Sequence, residues 1–312
     1  MKHLRPSPNR KKGSALIAVF WMIAVMGMVV FAGSKALDAD TRATRTLRGR
    51  AFAKHLAQMG IEVARHPAIQ MDDGLLHYTS PDGGGYDVQL STEEARLNIN
   101  VLLTSGDKIL LPRLFASWGL KPQQIAALQD ALRDWVDEDD HVSMNGAEKS
   151  LYEKAGFDGM PLNRPFKKIE EMLMVRGMSE INALRPDWRE WFTIHGDGRV
   201  DVNNARAELI ALIANVPIER VTPLLNLRVG GDGALHTRDD HQISSAVQVA
   251  QLLGVYQPQT VEALTRWIQF SGPTRRIECI GYYGDVRRRL VLILQNHEAL
   301  WRGEFPIYGS NL

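Results

Sequence analysis

The chain has 312 residues with 37 Lys/Arg, 36 Asp/Glu and a single cysteine, enough length for one or two globular units beyond a membrane helix. The lone thiol excludes an internal disulfide. Five of the basic residues (Lys2, Arg5, Arg10, Lys11 and Lys12) precede Gly13, leaving 32 basic against 36 acidic groups in the rest, which argues against bulk nucleic-acid binding.

From Ser14 to Ser34 there is no charged residue. A secretory h-region is usually about 7–15 apolar residues, whereas about 20 span a bilayer as a helix. The length favours a retained anchor. The basic flank keeps residues 1–13 cytoplasmic by the positive-inside rule and sends the remainder across. Ala32-Gly33-Ser34 leaves a conventional signal-peptide cut open as the alternative. Residues 35–66 are free of Pro, and Leu37, Ala43, Leu47, Ala51, Leu56 and Met59 recur near helical spacing. The apolar helix therefore continues as an amphipathic one up to Pro67, roughly 50 residues in all.

Turns at Asp72-Asp73-Gly74 and at Pro81 to Gly85 separate two short alternating strands, LLHYT (75–79) and YDVQL (86–90), and RLNINVL (96–102) reads as a further strand. Residues 103–265 are strand-poor and divided into short helices by Pro112, Pro122, Pro161, Pro165, Pro186, Pro217 and Pro223. Arg96-Leu97-Asn98-Ile99-Asn100 and Arg199-Val200-Asp201-Val202-Asn203 each precede a Leu-rich helix, suggesting two related helical units. At the end RRIECIGYY and VRRRLVLILQ around Gly284-Asp285 predict a hairpin, with FPIY as a last short strand. Cys279 sits inside that apolar stretch and reads as a small buried hydrophobe. Strands at both ends imply one antiparallel sheet with a helical insertion.

The densest polar cluster is DWVDEDDHVSMNGAE, residues 134–148. Crowded carboxylates on a loop suit Ca²⁺, a hard cation taking six to eight oxygens. Glu148 falls at position 12 counted from Asp137, but His141 and Val142 stand where an EF-hand needs an oxygen ligand and a glycine. The plain alternative is a solvated acidic helix end. His195-Gly196-Asp197-Gly198 and Asp239-Asp240-His241 lack a second spaced histidine pair, and no G-x-S-x-G, H-E-x-x-H or P-loop is present. VRGMSEINALR (175–185) and NVPIERVTPLLNLR (215–228) loosely resemble helix-hairpin-helix units. They lack most of the glycines needed for close approach to phosphate. A signal-anchored enzyme and a tethered DNA-binding protein stay open as alternatives.

Basic residues, a glycine, then an apolar stretch running into an amphipathic helix resembles a type IV pilin-like leader. The resemblance implies cleavage by a prepilin peptidase after Gly13, with Ser14 as the mature N-terminus. Most such proteins carry Glu at the fifth mature position, where this chain has Ala18. That absence, with EARLNINVL (94–102), LRDWVDEDD (132–140), GAEKSLYEKAG (146–156), PLNRP (161–165), IEEMLMVRGM (169–178) and RVDVNNARAELIALI (199–213) in order, resembles the K-type minor pseudopilins of type II secretion systems.

The family implies an α+β fold, in which a long N-terminal helix packs on a small antiparallel pilin-like sheet with a large all-helical insertion of two SAM-like units. Its parts would be the leader 1–13, transmembrane part 14–34, helix and first strands 35–102, helical insertion 103–265 (units 103–192 and 199–265), and closing strands 266–312. It further implies a non-enzymatic tip subunit in the inner membrane of a Gram-negative bacterium, single-pass, with its globular part in the periplasm. The implied partners are the I- and J-type minor pseudopilins, the major pseudopilin, the prepilin peptidase and the inner-membrane secretion platform. Bound Ca²⁺ is implied too, which makes Asp137, Asp139 and Glu148 candidate ligands, followed by Asn145 and Asp140.

Overall fold

The computed structural model describes residues 12–233, 235, 237 and 239–306. The first element, α1 (Lys12–Arg65), is one uninterrupted helix of 54 residues, about 80 Å long at 1.5 Å per residue. It ends just ahead of Pro67, which disfavours helical geometry at the preceding residue. No residue of its apolar window is buried against the protein. Further along, Ala53, Ala57, Ile61 and Ala64 are buried, and their spacing places them on one face.

Strands β1 (His77–Thr79) and β2 (Gly84–Thr92) follow, and the chain then departs into a helical block. Its first half runs from β3 (Leu97–Asn98) through α2 (Ile99–Thr104), α3 (Leu110–Ser117), α4 (Pro122–Val136), α5 (Lys149–Lys154) and α6 (Met178–Leu184) to β4 (Phe192–Thr193). Its second half runs from β5 (Val200–Asp201) through α7 (Ala207–Ala214), α8 (Thr222–Arg228), α9 (Ala246–Leu253) and α10 (Pro258–Trp267) to β6 (Ile268–Gln269). A short parallel clasp closes each half: Leu97 pairs with Phe192 and Val200 with Ile268. RLNINVL is thus a two-residue strand that turns into α2, because the Asn98 carboxamide caps that helix by accepting the Val101 N–H. IEEMLM (169–174) is 3₁₀ rather than α, and α6 starts only after Gly177, whose φ of 91° breaks the run.

The two halves share a device. The Asn100 side chain accepts from Phe166 N and donates to Phe166 O, each at 2.9 Å. Asn203, at the matching place after β5, accepts from Ile243 N at 2.8 Å and donates to Ile243 O at 2.9 Å. An asparagine carboxamide imitates a peptide group, so each one pins a distant loop as an added strand residue would. Around these anchors Trp135, Phe115, Trp188 and Phe192 fill a core shared by both halves.

The chain returns as β7 (Thr274–Tyr283), β8 (Val286–Gln295) and β9 (Glu298–Pro306). The main sheet has the order β1-β2-β7-β8-β9, antiparallel throughout. The last strand begins at Glu298, ahead of FPIY. Tyr86, Val88, Leu90, Ile277, Cys279, Leu290, Leu292 and Leu294 face α1 and form a second core. Gly281 has no room for a side chain, since a Cβ there would strike Ala53 O and Ala57 N. Glycine lets helix and sheet backbones approach closely.

The β7–β8 turn lies low on α1, where Tyr283 stacks on Phe52 with ring centroids 5.1 Å apart. At the opposite sheet end, Arg275 donates to Ile69 O, just beyond the helix. The helical block leaves the sheet there, at the end farthest from the apolar part of α1.

Candidate functional site

The acidic loop is built on α4. Pro122 opens that helix and the Gln124 side chain accepts the Lys121 N–H at 2.9 Å. At its other end Asp134 is fully buried. Its carboxylate accepts from Ala147 N at 2.9 Å and Ser143 N at 3.2 Å, folding residues 137–147 back on the helix. One turn earlier Asp130 accepts from the backbone and side-chain nitrogens of Asn145, both at 3.1 Å. Gly146 is needed between these staples, because a Cβ would run into the Asp134 carboxylate.

The candidate ligands then divide. Asn145 is drawn to Asp130, away from the others. Asp139 is exposed and accepts from His141 N at 2.8 Å, and that bond with its side-chain counterpart holds its carboxyl below the usual range. Asp140 accepts from the Asn163 carboxamide at 3.2 Å. Asp137 and Glu148 have no such donors: Asp137 Oδ1 and both Glu148 oxygens are buried without a hydrogen-bond partner. Burial pushes Glu148 up to about 7, with the charges of Asp134, Asp137 and Asp140 adding to it and the Lys149 backbone N–H opposing it. Burial and the neighbouring Asp134 and Asp139 raise Asp137 in the same direction.

Buried acceptors without donors cost about 1–3 kcal/mol each, more when charged. A proton or a cation relieves that cost. Oxygen-only donors of high charge match a hard cation, so Glu148 and Asp137, whose buried oxygens lack donors, fit one, whereas Asp139, Asp140 and Asn145 each already share a hydrogen bond with another group. Among the described residues no three His, Cys, Asp or Glu side chains are grouped closely enough to hold a metal. The sequence places Asp134 in the acidic cluster but does not mark it as the residue on which the loop is hung, because its partners lie 9 and 13 residues downstream.

The second feature is the lower part of α1. Leu16–Leu37 is a 22-residue window of mean hydropathy 2.5, long and apolar enough to cross a membrane. Ala18 is exposed within it. Residues 1–11 of the leader lie outside the described residues, and Gly13 and Ser14 fall in the first turns of α1, the Ser14 side chain also lying outside them. Asp197 in the 195–198 segment grips Arg199 at 2.8 Å in a tight turn. Asp239 ties Gly231 N and Thr237 within its own loop.

Residues 95–186 match the family model described as type II secretion system (T2SS), protein K. The chain is 26% identical over 204 residues to type II secretion system protein K of Klebsiella pneumoniae, covering 54% of this chain and 59% of that one. It is 23% identical over 259 residues to the protein of that name from Pseudomonas aeruginosa, covering 74% and 75%. The matched part thus spans about three-fifths of the Klebsiella relative's length. In fold it is similar to a chain of the GspK-GspI-GspJ complex from enterotoxigenic Escherichia coli, with a TM-score of 0.61 at 15% identity, over 87% of this chain and 100% of that one.

Proposed function

We propose that the chain, similar to protein K of type II secretion systems over residues 95–186 and to its curated relatives, is a minor pseudopilin, a non-enzymatic subunit at the tip of the pseudopilus. The observation that carries this reading is α1. Its apolar part contacts nothing in the protein while its distal part is fixed to the sheet. Such a helix sits in the inner membrane and then exchanges lipid for neighbouring helices when it joins a bundle. A prepilin peptidase cuts after Gly13 on the cytoplasmic side and the globular part stands in the periplasm.

Two features support the tip position. Ala18 offers no carboxylate to pair with another subunit's N-terminal amine. The helical block, read as two SAM-like units, stands at the sheet end remote from the membrane and obstructs a subunit from stacking above it. The I- and J-type minor pseudopilins are its proposed neighbours, with the major pseudopilin below them and the secretion platform as the assembly site. Ca²⁺ is its proposed ligand in the acidic loop, held by Glu148 and Asp137, where it would supply the positive charge that their buried oxygens lack.

The test is the mature N-terminus. The full chain is co-expressed with an active prepilin peptidase and with an inactive one, and its intact mass is read. Loss of residues 1–13 only with the active peptidase is the expected result. A cut near Ser34 in both strains overturns the reading.

A further inference from the structure

On the sheet face opposite α1 there is a groove of about 350 Å³, walled on its other side by the helical block, near the lower end of the range for ligand pockets. Its floor is a partly buried charge network, with Glu93 the most enclosed member. Glu93 accepts from Arg276 at 2.9 Å and from the Thr193 hydroxyl at 2.6 Å, with Arg96 at 3.5 Å. Glu278 lies 3.3 Å from Arg276 and 3.1 Å from Arg289. Three guanidinium groups therefore share two carboxylates. Arg276 Nε remains buried without an acceptor, and Arg96 Nη1 makes no hydrogen bond beyond its ion pair with Glu93.

At the rim Lys167 and Lys168 are exposed, with no ion pair among the described residues. Glu190 faces the same groove but is engaged by Arg206 at 3.2 Å. The lining holds six basic and four acidic side chains, so the excess is positive where water is partly excluded and charge acts strongly.

The sheet side adds an apolar wall. Ile293 pairs with Trp301 and Leu294 with Ala299, leaving Leu300 as the bulged residue. A bulge re-aims a side chain, and here Leu300 and Trp301 both line the groove instead of alternating across the sheet. Leu300 and Phe305 stay 43% and 37% exposed. Neither an inorganic anion nor a purely apolar partner uses both halves.

We propose that this groove is a docking site for a short extended segment of another protein, one that carries a carboxylate side chain beside a large apolar one. The carboxylate meets the Arg96–Arg276–Arg289 floor and the Lys167–Lys168 rim, and the apolar side chain packs on Leu300, Trp301 and Phe305. This deepens the pseudopilin reading by naming the chemistry of one contact, and it is tested on this chain alone.

Binding of N-acetyl-Phe-Glu-amide to the detergent-solubilised full chain is followed by saturation-transfer NMR, beside N-acetyl-Phe-Gln-amide and inorganic phosphate. The glutamate peptide should bind saturably and the glutamine peptide about fivefold more weakly, the factor expected of a half-screened ion pair. Lys167→Glu with Lys168→Glu, and separately Leu300→Ala, should each weaken the glutamate peptide severalfold. All these positions are exposed, and an unchanged melt verifies the fold. Equal binding of the two peptides, binding untouched by the variants, or phosphate binding with neither peptide would each overturn the proposal. None of these results bears on cleavage after Gly13, so the two readings fail separately.

Discussion

Substituting Glu148 by Gln keeps the shape of the side chain and removes its charge. In the native protein the acid is raised from an ordinary 4.5 to about 7 by burial and by Asp134, Asp137 and Asp140, which corresponds to about 3 kcal/mol of bias towards the protonated form. The folded state therefore holds this proton more tightly than the unfolded one. Its contribution is fully present below pH 4.5 and is lost as pH rises through about 7. At pH 8 without calcium, Glu148→Gln should melt higher than the parent by up to roughly 6–10 °C; at pH 4 the two should coincide. Saturating Ca²⁺ at pH 8 should raise the parent and leave the variant unmoved, closing or inverting the gap. Circular dichroism melts of the full chain in detergent, in EDTA and in Ca²⁺, read all four states. A variant that melts at or below the parent at pH 8 in EDTA would refute the electrostatic argument. A parent with identical melts in EDTA and Ca²⁺ would refute the calcium assignment.

Gly281→Val should destabilise the α1–sheet unit by about 1–3 kcal/mol or more, since its side chain meets the α1 backbone; a denaturant midpoint equal to the parent's would contradict the close packing. Asn100→Ala should cost about 2 kcal/mol, because it strands two backbone groups, and Asn203→Ala more, because its carboxamide also donates to Phe270 O at 2.8 Å. No loss at either position, read by the same denaturation, would argue against a shared role. Cys279 is fully buried and its thiol is pushed up to about 12 by burial; it should resist an aromatic disulfide reagent at pH 8 until the protein is unfolded. Rapid labelling of the native protein would contradict that burial.

The parts of the fold legible in the sequence are those with a strong period. A proline-free run forms α1, and alternation around Gly284-Asp285 forms the β7–β8 hairpin. YDVQL lies within β2 and pairs with β7 from the far end of the chain, as strands at both termini implied. RLNINVL misled because its alternation covers two residues of strand before a side-chain cap begins a helix. The start of β9 was hidden because its residues are a mixture that no period marks. In the acidic loop, composition located the segment but could not rank its members. Which carboxylate is free for a cation depends on which others are used by backbone N–H groups. Asp130 and Asp134 are used in that way, whereas Glu148 is not.

The entry and exit of the helical block also govern how the protein is made. Glu94 and Thr274, joined by a hydrogen bond, are 180 residues apart in sequence, and β2 has no partner other than β1 until β7 is synthesised. Non-local pairing of this kind is slow and leaves strand edges exposed. Each half of the block closes on its own clasp, so both halves can be complete before the sheet exists. The apolar face of β2 and the stripe on α1 then wait together for the last forty or so residues. Under the pseudopilin proposal, assembly competence would be the last property acquired: a chain truncated before β7 would keep its apolar helix yet lack the sheet on which that helix is aligned.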